Sequence, residues 1–129
     1  MVVDSSALMA ILGREPEERE FRNAIKTAAN RLLSAATRVE VGLVALSRRG
    51  EPGLDQMRAL LEGLKLEVVA LSDEQAKLAI DAFRRFGKGR HPAGLNFGDC
   101  FSYALAKATG EPLLFKGDDF SQTDIERAG

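Results

Sequence analysis

Chemistry-bearing residues of the soft and aromatic kinds are scarce in this sequence. Its 129 residues include no tryptophan, one cysteine and one histidine, and aromatics make up 6%. A lone cysteine, Cys100, excludes an internal disulfide framework and any CxxC metal or redox pair; it fits a reducing compartment, with the cytoplasm as the default. The lone histidine, His91, has no partner at metal-ligand spacing, so it reads as a surface or phosphate-contact residue. So few aromatics leave no interleaved aromatic-basic surface for stacking single strands. Excess charge is missing too: 18 Lys and Arg stand against 19 Asp and Glu, so any electrostatic attraction must come from local arrangement. No stretch reaches the roughly 18 apolar residues of a membrane span. Asp4 interrupts the first apolar run and no basic region precedes it, so no leader peptide is expected. What remains, 45% hydrophobic content over 129 residues, supports one domain spanning residues 1–129.

Strand-like and helix-like segments alternate along the chain. Val2 and Val3 form a short buried-strand pattern ending at Asp4, and Ser5 or Ser6 can cap a helix that stops at Gly13. An amphipathic helix is expected from 16 to about 29. A second strand follows at Arg31 to Ala36, and Thr37 and Glu40 have the spacing of a capping box for a helix through Val39, Leu43 and Leu46 to Gly50. Pro52 begins another helix with Leu54, Met57, Leu60, Leu61 and Leu64 on one face. Leu66 to Leu71 reads as the third strand, and Ser72 caps a helix carrying Ala76, Ala79, Ile80, Phe83 and Phe86. After a basic loop, Gly87 to Gly94, Asn96 caps a helix with Phe97, Phe101, Ala104, Leu105 and Ala108 as its stripe and Gly110 as its stop. Leu113 to Phe115 is then a strand with both faces covered, and a polar tail follows that can add a small edge element. The fold class is α/β, a three-layer sandwich with a central, mostly parallel sheet flanked by helices.

In such sheets the functional crevice lies beyond the carboxyl ends of the strands, where strand order reverses. Asp4 ends the first strand, Asp118 and Asp119 follow the last, and Glu40 and Asp99 each open a helix. Carboxylates so gathered repel one another unless a hard divalent cation sits among them, and Mg²⁺ or Mn²⁺ favours such oxygen ligands. The expected chemistry is metal-assisted phosphodiester hydrolysis by an activated water. Each acid also has a structural explanation: Glu40 and Asp99 as capping-box members after Thr37 and Asn96, Asp118 and Asp119 as an ordinary turn beside Gly117. Asp4 resists such an explanation, because an acid after two valines is costly in a core unless paired or coordinated.

The blocks VVDSSALMAIL, TRVEVGLV, GKGRHPAGLNFGDCFSYALAKATGEPLLFKGDDF and TDI, together nearly the whole chain, carry a resemblance. The sequence resembles PIN-domain ribonucleases, and more closely the VapC-type toxins of VapBC toxin-antitoxin pairs. That resemblance implies a Mg²⁺- or Mn²⁺-dependent endoribonuclease cutting cellular RNA, whether transfer, ribosomal or messenger. It also implies silencing by a small VapB-type antitoxin encoded beside it, and a homodimer. By the same resemblance Asp4, Glu40 and Asp99 match the family's first three acidic positions. Gly117 stands where relatives often carry an acid, leaving Asp118 and Asp119 as substitutes, with Asp119 favoured. Ser6 matches a small polar position that supports the first acid, and is otherwise a helix cap.

Lys88, Arg90 and His91, with Arg84 and Arg85, form a positive segment ahead of the last helix. Such a run is ordinarily a solvated face; beside a metal site it could grip an RNA backbone. Cys100, Phe97, Phe101, Tyr103 and Phe115 read as core. Competing functions are a catalytically idle PIN-like protein-binding module and a non-toxin PIN nuclease in RNA processing. A haloacid-dehalogenase phosphatase would want Asp-x-Asp where Asp4 is followed by Ser5 and Ser6. A receiver domain would want an acid ending the third strand, where Asp73 sits in a cap position instead.

Overall fold

The computed structural model of the protein describes residues 1–129. Its centre is a four-stranded sheet of β1 (Val2–Val3), β2 (Leu32–Ser34), β3 (Glu67–Val69) and β4 (Leu113–Leu114) in the order β3-β2-β1-β4. All three pairings are parallel, with Val2 opposite Leu32 and Leu113, and Val3 opposite Leu114. The tail adds a parallel bridge, Leu113 to Arg127, outside β4. Helices α1 (Ser5–Leu12), α2 (Glu18–Thr27), α3 (Ala35–Gly63), α4 (Asp73–Phe86) and α5 (Phe97–Thr109) supply the crossovers. This is the expected parallel α/β sandwich.

Alternation along the strands divides the interior into two cores. Val3, Leu33 and Leu114 pack with Leu8, Ile11, Ile25, Met57 and Leu61. Val2, Leu113 and Phe115 pack with Leu95, Tyr103, Leu105 and Phe120 on the other side. The central strands are therefore covered on both faces, as parallel strands require. Only β3, on the sheet edge, leaves Glu67 and Val68 in solvent, Val68 being 38% exposed, while its Val69 packs against the second core.

Helix boundaries depart from expectation in ways that affect the site. Asp4 itself caps α1, accepting from the Ser6 N–H, so neither Ser5 nor Ser6 is the cap. Ser34 caps α3, its backbone still extended and its hydroxyl accepting from the Ala36 N–H. Thr37 is thus inside the first turn instead of before it, and the Thr37–Glu40 capping box does not form. The helix expected to end at Gly50 and the one expected from Pro52 are both present within α3, because Gly50, at φ 65° and ψ −154°, leaves helical conformation and marks the break between them. The stripe expected through Val39, Leu43 and Leu46 faces outward, and Thr37, Val41 and Ala45 face in. Phe97, expected in the core, is 80% exposed, and Ile80 and Phe83 are exposed as well. Small residues, Ala79 and Ala82, take the inward positions of α4 because α4 and α5 pack closely.

Candidate active site

The sheet order reverses between β1 and β4, which leave the sheet side by side, so the switch-point crevice opens beside Asp4. Asp4 is 1% exposed. Its Oδ2 accepts from the Ser6 N–H (3.0 Å) and the Ser6 hydroxyl (2.7 Å). Ser6 Oγ in turn accepts from the Lys116 N–H just past β4 (2.9 Å). One serine therefore ties the mouth of β1 to the mouth of β4. Lys116 Nζ pairs with Glu15 and, at 3.4 Å, with Glu17, pinning the same turn to the loop after α1.

Asp99 is set by its own helix end. Asn96 Oδ1 accepts from the Asp99 N–H (2.9 Å) and Asp99 Oδ2 accepts from the Asn96 N–H (3.0 Å), a complete capping box. Burial pushes the Asp99 carboxyl up to about 6 against the pull of the Asn96 N–H, and the charges of Asp4, Asp119 and Glu40 add to the rise. Glu40, one turn into α3, is raised as well: burial first, opposed by Ser5, then the charge of Asp4. Glu40 reaches the cluster because α3 and α5 are joined one turn deeper by Thr37 and Ser102, whose hydroxyls lie 3.3 Å apart in the interior.

Asp4, Glu40 and Asp119, from three other segments, all bear on Asp99, and Asp4 bears on Glu40. Asp118, although adjacent to Asp119, is not among the charges that act on Asp99 or Glu40. Lys88 and Arg90 are exposed on the loop before α5, Arg90 lying over the Phe83 ring. His91 turns inward: its Nδ1 accepts from the Ala93 N–H (3.0 Å) and its ring stands edge-on to Phe86, so it staples its own loop. Cys100 is buried, its thiol donating to the Asn96 carbonyl and pushed up to about 11 by burial, then by Asp99, which makes it an inert core residue.

Within this cluster two buried carboxylate oxygens, Asp4 Oδ1 and Glu40 Oε1, have no hydrogen-bond donor. No lysine or arginine is among the groups that act on Asp99 or Glu40. Buried anionic oxygens without donors, on an all-carboxylate set, suit a hard divalent cation. No three of these side chains come close enough together to hold one ion among them. Thr37, Ser102, Ser34 and Gly98, which contribute to this geometry, gave no sign of it in the sequence beyond Ser34 being a cap-forming residue type after a strand.

The PIN domain family model matches residues 1–126. Ribonuclease VapC30 of Mycobacterium tuberculosis is 50% identical over 125 residues, covering 97% of this chain and 95% of that protein. The crystal structure of M. tuberculosis VapC20, described as a sarcin-ricin loop cleaving toxin, superposes with a TM-score of 0.76 at 15% identity, covering 96% of this chain and 95% of that one. A toxin-antitoxin complex from Klebsiella pneumoniae does so at 0.71 and 17% identity, with 95% and 92% covered. At those identities the two structures share the fold, whereas the family model and the half-identical relative extend the likeness to the sequence itself. The chain belongs to the PIN domain family, among the VapC ribonucleases.

Proposed function

We propose that this ribonuclease acts as a single domain that hydrolyses phosphodiester bonds of cellular RNA in the cytoplasm. It would depend on Mg²⁺ or Mn²⁺ held by Asp4, Glu40, Asp99 and Asp119, and be restrained by a cognate VapB-type antitoxin. The observation that carries this reading is the pair of buried, donorless oxygens on Asp4 and Glu40, inside a cluster on which no protein cation acts. When bound, a divalent cation there supplies charge neutralisation and Lewis-acid activation of phosphate and water.

The chain's own groups do the positioning. Ser6 fixes Asp4 by Oδ2 and leaves Oδ1 for the ligand; the capping box fixes Asp99 by Oδ2 in the same manner. Asp99, protonated below about 6, is ionised near neutral pH and so available as a ligand or as an acceptor for a water proton. Asp119 stands at the exposed rim, on the turn before the short 3-10 helix Phe120–Gln122, where it can adjust to an incoming phosphate. Lys88 and Arg90, exposed ahead of α5, give the RNA backbone point-charge contacts. The protein works as a homodimer through the apolar strip of Val39, Leu43, Phe97, Ile80 and Phe83, a patch that a monomer seldom leaves in water.

Incubation of the purified protein with total RNA tests the activity. Wild type with Mg²⁺ should cleave, while Asp99→Asn and the chelated wild type should not. Expression of wild type should arrest growth, with arrest relieved by co-expressing the neighbouring short gene; a harmless wild type would point to the idle protein-binding module.

A further inference from the structure

Gly98 lies in the first turn of α5, next to Asp99, and is not one of the glycines with positive φ. Backbone conformation therefore gives no reason for glycine there. Helix propensity argues against it, since glycine is among the poorest helix formers and alanine the best. What the position excludes is a Cβ. One built there would lie 2.4 Å from Glu40 Oε2, 2.7 Å from Glu40 Cδ and 2.8 Å from Glu40 Oε1. Three atoms of one carboxylate at such distances mean that the group rests directly on the α-carbon of residue 98. Glu40 Oε1 is also buried without a hydrogen-bond donor, so on that side the carboxylate is held by shape, with Ser5 the one side chain that draws on it. Because the obstructed atoms are the flexible end of a glutamate, a methyl at 98 would push the carboxylate away and leave the helix intact.

We propose that Gly98 is a positioning residue of the acidic site: its missing side chain seats the Glu40 carboxylate against α5, beside Asp99, where the two can share one divalent cation. The proposal rests on the cation-binding reading given above. It explains a local conflict between helix propensity and the residue present, which is where functional constraint is expected to surface.

Calorimetric Mn²⁺ titration and apo thermal unfolding of four full-length proteins test it: wild type, Gly98→Ala, Glu40→Ala and the double variant. Gly98→Ala should weaken Mn²⁺ binding by about tenfold or more, the scale of losing support for a ligand. In the Glu40→Ala background the same change should weaken binding no further, and should raise the apo Tm by about 4 °C as helix propensity asserts itself. In the wild-type background the Tm gain should be smaller or negative. If Gly98→Ala binds Mn²⁺ like wild type, or costs as much with Glu40 absent as with it present, the proposal is overturned. If Gly98→Ala fails to fold, a folded double variant supports the seat and an unfolded one overturns it. A wild type that does not take up Mn²⁺ overturns the cation reading instead; the seat is then judged by the Tm difference between backgrounds, and equal shifts would refute it.

Discussion

Asp99 gives only Oδ2 to its helix cap, and its burial makes its pH behaviour informative. The unfolded chain releases this proton near the ordinary value of about 4, whereas the native carboxyl, buried and facing three other acids, holds it to about 6. Between those values the native state binds more protons, so apo stability falls as pH rises from about 4 to 6, by about 2 kcal/mol after allowance for partial solvation. The raised Glu40 pushes in the same direction. Asp124 works oppositely: against the cost of its burial, Lys107 and the Tyr103 hydroxyl hold it down to about 2, so its contribution fades as pH falls from about 4 toward 2. Unfolding of the metal-free protein followed across pH should therefore show a maximum near pH 4 to 5. Asp99→Asn, which can still accept from the Asn96 N–H, should flatten the descending limb above it. Asp99→Ala is the poorer variant because it also removes half of the capping box, at about 1 kcal/mol.

At the scale of elements, the seam between α3 and α5 sets how far Glu40 stands from Asp99. Thr37 and Ser102 share a buried hydroxyl contact, and Thr37→Val would leave Ser102 without its partner. Denaturant unfolding should show a loss of about 1 kcal/mol, largely recovered in Thr37→Val/Ser102→Ala, where both polar groups are gone. The kink in α3 depends on a second close approach. A Cβ at Gly53 would lie 2.5 Å from the Ala45 carbonyl oxygen and 2.7 Å from Arg49 Cβ, and backbone cannot move aside as a glutamate tip can. Gly53→Ala should destabilise by about 1–3 kcal/mol through overpacking, in contrast to the gain expected for Gly98→Ala without Glu40. The elements themselves were legible. The strands just before Asp4 and Phe115, the Asn96 cap and the Gly110 stop come from short-range signals that local residues satisfy alone. The start of α3 was not, because Ser34 and Thr37 are both competent caps and the strand end at Ser34 decided between them. Nor was the orientation of Val39, Leu43 and Phe97: an apolar stripe records that a face is sticky, not whether it meets a core or another molecule.

For the molecule as a whole, a parallel sheet with one strand-order reversal concentrates its acids at one edge, and a ligand that binds them must stabilise the native state. With Mg²⁺ or Mn²⁺ at a hundredfold its dissociation constant the linkage gain is about 2.7 kcal/mol. That gain should appear as a rise in Tm at pH 7 to 8 and shrink at pH 5, where Asp99 retains its proton. Differential scanning calorimetry at the two pH values checks this, and an equal rise at both would place the ion elsewhere. The exposed strip from Val39 to Phe97 gives a second expectation at this scale: Phe97→Asp should convert a dimer to a monomer in sedimentation velocity without loss of helical circular dichroism, since this side chain is 80% exposed in the protomer.

Periodicity, caps and stops are written in neighbouring residues, and so the sequence by itself determined the α/β class and most helix ends, and singled out the candidate acids. Which acids meet was a matter of tertiary structure. The parallel register places the end of β1 beside the end of β4, and the α3–α5 contact carries Glu40 to the first turn of α5, beside Asp99. The same contacts turned Phe97 outward and His91 inward. Such relations join residues tens of positions apart through packing and space, and no local pattern of residue types encodes a distance.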